Sequence, residues 1–398
     1  MSPTGATERA ARFRAGAVIV TSDDVRTSSE VTVVGGRIAS VSPVPGHTLT
    51  DEERSSVLAP AWINAHAHLE LGALSGRVPP GERFVDWVGA LLGARGALGA
   101  DELKRGARAS ADALLSAGTA HVIDVDSLGV VRPALAPDVV ARVHGFVELL
   151  DASPEASDAR TEAALAAARG AVHTGLGLSP HGPHTAGDDL LAALGADAVL
   201  REAPRTVHWA ESTEEVEWLR DGTGPFERLL GPSPRTTGLE RLARHGLLDG
   251  TLLVHGNLPQ PEELALLERA RGVAVVHCPG CHSFFGRGPF PVERYRAVGV
   301  PVLLGTDSAA SNDALDMGRE VRLARETLGL SPAEAFDAAT RGPAHWIPRP
   351  GVTGTLSPGS AADLARHAGH DGGADTALEA LTAGRLARGV LEDVGAQS

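Results

Sequence analysis

Residues 57–68, VLAPAWINAHAH, form an apolar run that closes on two histidines one residue apart. Alternate side chains of a strand project to the same face, so His66 and His68 deliver two imidazoles to one side of a sheet and can grip one cation. His208 follows the short strand Thr206–Val207, and Asp307 closes the apolar run VPVLLGTD at 300–307. Histidine nitrogens with one carboxylate suit Zn²⁺ or Fe²⁺, and a position left open for water makes such a site catalytic rather than structural.

Outward from that run the chain alternates apolar stretches with helical ones, the pattern of βα units on a parallel sheet. Strands are predicted at 57–65, 119–125, 139–148, 174–179, 205–209, 251–255, 272–277 and 300–306. Helices are predicted at 101–117, 155–170, 188–195, 213–220, 261–271, 291–298 and 314–329. Eight such strands imply a closed α/β barrel, a TIM-like (β/α)8 fold, with its site at the C-terminal strand ends, where His66, His68, His208 and Asp307 fall. Residues 16–58 read instead as short strands and polar turns. From 351 the chain returns to strand-and-turn character, with HAGHDGGADT (367–376) as a loop. The expected organisation is a small β-sandwich domain formed by 1–58 and 348–398 around a barrel at 59–347.

Composition narrows the partners. A chain of 398 residues can bury one large barrel. Its formal charge of -14, from 50 acidic against 36 basic side chains, argues against a nucleic-acid or anionic-lipid surface and for a small-molecule substrate. The N-terminal apolar run AGAVIV is too short for a signal-peptide core, and no stretch approaches a membrane span. A cytoplasmic protein with reduced cysteines is expected, and a homo-oligomer is left open.

The motifs NAHAHLE, GLSPHGPHT, VHWAESTEE, LVHGN, HCPGCH and LLGTDSAAS stand at successive strand ends in the order of the amidohydrolase superfamily. Together they resemble its cytosine deaminase and S-adenosylhomocysteine deaminase branch, over nearly the whole chain. The resemblance implies one divalent metal, zinc with iron as the alternative, on His66, His68, His208 and Asp307. It further implies Glu211 as the proton shuttle and His255 as a catalytic histidine beside the metal, with Asp307 taking the proton of the attacking water. Binuclear relatives bridge their metals with a carboxylated lysine, whereas Lys104, the one lysine, lies in the first long helix.

Other positions carry two readings. His181 is a substrate contact or a loop hydrogen-bonding residue, and His277 is equally well a packing residue. Glu70, in HAHLE, touches substrate or orients a ligating histidine. Phe84 and Trp87 have helical spacing and read as core. The segment CPGCH (278–282) also matches the c-type haem motif, but export and a thioredoxin-like context are missing. Relatives carry HCPxSN there, so Cys281 and His282 depart from the pattern and put the substrate in question.

SPHGPHT, LRDGTGPFERLL and HCPxxHxFFG are most similar to aminodeoxyfutalosine deaminases, which act in menaquinone biosynthesis. This implies hydrolytic deamination of an aminopurine nucleoside with an acidic extension. Arg287 would contact that extension, with Phe284, Phe285, Arg77 and Arg83 nearby. The alternatives are guanine- or cytosine-type deaminases, chlorotriazine hydrolases, imidazolonepropionase-like hydrolases, and a noncatalytic binding relative.

Overall fold

The computed structural model describes residues 10–81, 83–151 and 158–392. Fourteen strands are described: β1 (Ala11–Thr21), β2 (Asp24–Val34), β3 (Arg37–Pro43), β4 (Ser56–Pro60), β5 (Trp62–Ala67), β6 (Thr119–Asp126), β7 (Val143–Leu149), β8 (Gly177–Pro180), β9 (Arg205–Trp209), β10 (Thr251–His255), β11 (Ala274–His277), β12 (Val302–Leu304), β13 (Leu364–Ala368) and β14 (Val390–Leu391).

β5 to β12 form an eight-stranded sheet in sequential order, and every registered pair from β6 to β12 is parallel. The ring is brought to closure past β12, where the N–H groups of Thr306 and Asp307 both donate to the carbonyl of His66 at 3.1 Å. Barrel strands such as Arg205–Trp209 and Thr251–His255 are buried at every position, as strands covered on both faces must be. This is the expected (β/α)8 barrel.

The terminal segments build a second sheet in the order β14-β13-β4-β1-β2-β3. β1 pairs antiparallel with β2 and parallel with β4, and β13 pairs antiparallel with β4, so the tail rejoins the N-terminal strands as expected. Val18, Val31, Val33, Ile38, Leu58 and Leu364 form the core of this sheet. The two-residue β2–β3 turn has Gly35 and Gly36 at φ 57° and 68°, the left-handed pair that a tight right-twisting hairpin demands.

The chain divides into two compact units. One takes the chain through Asn64 with Asp112–His121 and the stretch from Asp316 onward; the other takes Ala65–Ala111 and Val122–Leu315. The sequence boundaries at 58 and 347 follow the strand repeat instead.

Three expectations need correction. The run 57–65 is two strands: β4 belongs to the terminal sheet, and β5 begins the barrel after Ala61, whose N–H goes to Asp363. Residues 139–142 are not strand, because Pro137 opens a short helix and β7 starts only at Val143. The stretch read as loop and turns from 367 contains the end of β13 and a helix, Ala374–Thr382, which buries Ala377, Ala380 and Leu381. Its Ala and Leu content favours helix, and Gly372–Gly373 mark its start rather than a longer loop. Of the helix predicted at 155–170, residues 155–157 lie outside the described residues, and Asp158–His173 is helical.

Candidate active site

His66 is the penultimate residue of β5 with His68 just past its end, His208 lies within β9, His255 ends β10, and Asp307 follows β12 by three residues. Parallel strands in a barrel bring these ends to one mouth. The atoms that meet there are His68 Nε2 and His208 Nε2 at 3.1 Å, His66 Nε2 and Asp307 Oδ1 at 3.6 Å, and His68 Nε2 and Asp307 Oδ1 at 3.9 Å. Bonds of about 2.0–2.1 Å at tetrahedral angles put neighbouring donors about 3.4 Å apart. The four side chains therefore fit a divalent ion such as zinc.

Backbone geometry fixes the set. Gly305 lets the chain past β12 approach β5 closely, since a Cβ there would sit 2.9 Å from the His66 nitrogen. His208 Nδ1 stands 2.8 Å from the His181 carbonyl, an arrangement that places the proton on Nδ1 and turns the bare Nε2 inward. Ala210, His255 and Asp307 have φ of 49°, 72° and 60°, left-handed conformations that non-glycine residues adopt at a cost of about 1–3 kcal/mol each. All three lie at barrel strand ends around this mouth.

Burial sets the charges. It holds His208 and His255 well below the ordinary histidine range, and with the neighbouring His66 it pushes His68 down to about 4. Neutral imidazoles present lone pairs to a cation. For Asp307 burial acts upward, but the His66 hydrogen bond and the surrounding imidazoles outweigh it and hold the carboxyl well below its usual value. His68 and His208 thus stand as neutral imidazoles beside the Asp307 carboxylate.

Glu211 stands across from it. Its Oε2 is 3.5 Å from His255 Nε2 and its Oε1 accepts a hydrogen bond from Arg287 at 3.0 Å. The Glu215 carboxylate accepts the N–H groups of Ala210 and Glu211 at 2.9 and 2.8 Å, and Asn257 donates to the Glu211 carbonyl, which fixes the turn. Burial pushes Glu211 up to about 7 against the pull of Arg287, the range in which a carboxyl both gives and takes protons at neutral pH. A cavity of about 620 Å³ opens beside it, lined among others by Phe84, Glu214, Asn257, His282, Phe285 and Arg287.

The remaining expected residues fall as follows. His181 joins the cluster, its ring 4.7 Å from that of His208, with Nδ1 on Thr185 Oγ1 at 2.6 Å and Nε2 4.0 Å from Glu148. Glu70 turns to Ser127, accepting from its N–H at 3.1 Å and its hydroxyl at 2.5 Å, and so ties the loop after β6. Arg287 pairs with Glu211 and lies over the rings of Phe84 and Phe285 at 5.4 and 4.7 Å. Arg83 pairs with Asp86, and Arg77 is exposed. His277 stacks on Phe290 at 4.0 Å, which is the packing reading. Trp87 is buried core, as expected, packed with Phe84 and Phe285.

Sequence reasoning did not place Cys281, whose thiol donates to Asp307 Oδ2 at 2.9 Å, nor Ser311, which donates to the same oxygen at 2.8 Å. Nor did it find Glu215. The spacing offered a signal: Ser311 and Glu215 each lie four residues beyond Asp307 and Glu211, where a turn folds back.

The model of the amidohydrolase family matches residues 57–382. An aminodeoxyfutalosine deaminase of Deinococcus radiodurans is 32% identical over 323 residues, 73% of this chain and 73% of that protein. Among solved structures, the Helicobacter pylori aminofutalosine deaminase in complex with methylthio-coformycin superposes with a TM-score of 0.79 at 22% identity, covering 93% of this chain and 95% of that one. An adenosine deaminase of Xanthomonas campestris with bound zinc gives 0.71 at 24% identity, covering 90% and 84%.

Proposed function

This chain belongs to the amidohydrolase family, and from that premise we propose that it is a metal-dependent hydrolytic deaminase of an aminopurine nucleoside, with aminodeoxyfutalosine of menaquinone biosynthesis as the candidate substrate. It is a hydrolase of carbon–nitrogen bonds other than peptide bonds. The observation that carries the reading is one donor set of tetrahedral spacing, His66, His68, His208 and Asp307, facing a buried Glu211–His255 pair. A divalent ion held there would lower the pKa of water toward about 7 and polarise the reacting carbon.

The side chains divide the proton work. Asp307 takes the proton of the attacking water. Glu211 delivers one to the ring nitrogen, on the other side of the reacting carbon. The proton held by Asp307 then passes to the amino group, which leaves as ammonia as the carbon–nitrogen bond breaks, and the new hydroxyl returns a proton to Glu211. His255 holds the developing hydroxyl between Glu211 and the imidazoles. The cavity beside Glu211 receives the body of the nucleoside, with Phe285 and Phe84 as an apolar platform. Arg287, already on Glu211, would face a polar or anionic part of the substrate. The identity of 32% to an aminodeoxyfutalosine deaminase supports that substrate over a free base. Among the described residues no helix is long and apolar enough to cross a membrane.

The test compares kcat/KM for ammonia release from aminodeoxyfutalosine, adenosine, S-adenosylhomocysteine, guanine and cytosine. The expected result is a clear preference for the carboxylated nucleoside. Preference for guanine or cytosine would move the assignment to a base deaminase, and no ammonia from any of them would overturn deamination.

A further inference from the structure

Beside the donor set already described lies a second group of three different ligand types, with Glu211, His255 and Cys281 each contributing one donor atom. These atoms lie within 4.8 Å of one another and all three residues are buried. The edge between His255 Nε2 and Glu211 Oε2 is already 3.5 Å, close to the about 3.4 Å of a tetrahedral site. We propose that Glu211, His255 and Cys281 form a second, inhibitory site for a soft divalent cation, zinc above all, and that this chain is therefore shut off by excess zinc. The inference rests on the functional reading above, because blocking follows only if Glu211 and His255 carry the reaction.

The chemistry of the donors selects the ion. Thiolate with imidazole favours zinc and its soft neighbours over magnesium or calcium, which take oxygen ligands. Three protein donors leave a fourth position, where water or substrate would complete the shell. Cys281 is placed for this by the helix Pro279–Phe284, which follows β11 and carries its buried thiol to the barrel mouth. As a hydrogen-bond donor the thiol is redundant, because Ser311 already donates to the same Asp307 oxygen. Arg287 occupies Oε1 of Glu211 and leaves Oε2, the oxygen that faces His255. Binding would proceed by loss of the Cys281 thiol proton to solvent and formation of the sulfur–metal bond. The carboxylate, the thiolate and the neighbouring Asp307 offset the charge of the incoming ion against that of Arg287.

The test is a titration of metal-depleted protein with Co²⁺ and, separately, Zn²⁺, read by absorption, equilibrium dialysis and activity. The first equivalent should restore activity without a thiolate-to-cobalt charge-transfer band. A second, weaker equivalent should bring that band in and remove activity together. Cys281→Ser should bind the first equivalent, lack the band, and weaken the second by about 10-fold or more, as loss of a soft donor requires. Spectroscopy on the unsubstituted protein decides the matter even if that variant does not fold. A second equivalent without the band, or no second equivalent at all, would overturn the inference while leaving the active metal site standing. Failure of the first equivalent to bind would instead overturn the functional reading.

Discussion

Replacing Arg287 with Met should shift the pH dependence of turnover while leaving the metal in place. The half-buried guanidinium lies over the rings of Phe84 and Phe285 and 3.0 Å from Glu211 Oε1. Methionine keeps most of the apolar contact with the two rings and deletes the charge. A charge-assisted hydrogen bond of this kind contributes about 1.5–3 kcal/mol, equivalent to about 1–2 pKa units. Arg287 favours the ionised carboxylate, so its loss raises Glu211 from about 7 toward about 8–9. In the proposed reaction Glu211 must be protonated to serve the ring nitrogen, and activity falls as pH rises through its pKa. The alkaline limb of kcat/KM therefore moves upward in Arg287→Met. The assay is ammonia release across the neutral and alkaline range, with metal content measured on the same samples. A limb that stays in place, or moves down, would refute the coupling of Arg287 to Glu211.

His68→Ala should lose metal and activity together, and elemental analysis of the fully active unsubstituted chain should give one metal per chain; two would contradict the single active centre. Glu211→Gln keeps the side-chain volume and an oxygen for Arg287, so metal should stay while kcat falls by about 10²- to 10⁴-fold. Near-normal turnover in that variant would leave Glu211 as a carboxylate that only braces the turn after β9. His367 gives a stability prediction, because burial lowers it from 6.5 to about 4. The unfolded chain then binds more protons between these values, so the contribution is complete above about pH 6.5 and is lost as pH falls toward about 4, by up to about 3 kcal/mol. His367→Gln should flatten that part of the urea-midpoint profile, and an unchanged slope would exclude His367 as its source.

What the sequence by itself determined is local in origin. Strand runs of Val, Ile and Leu and the parity of His66 and His68 are properties of a few neighbouring residues, and they sufficed for eight strands in order and for the residues at their ends. The place where β4 gives way to β5 was not legible, because Ser56–Pro60 and Trp62–Ala67 are alike in apolar character and differ only in which sheet they join. The helix at Ala374–Thr382 was hidden by the glycines before it. At the site, the pairing of Arg287 with Glu211, 76 residues away, and of Cys281 with Asp307, 26 away, belongs to the tertiary structure alone. So do the left-handed backbones of Ala210, His255 and Asp307. The reason is geometric: sequence periodicity specifies which face a side chain takes, whereas barrel closure decides which strand ends face each other, and with that which carboxylate meets which cation or thiol.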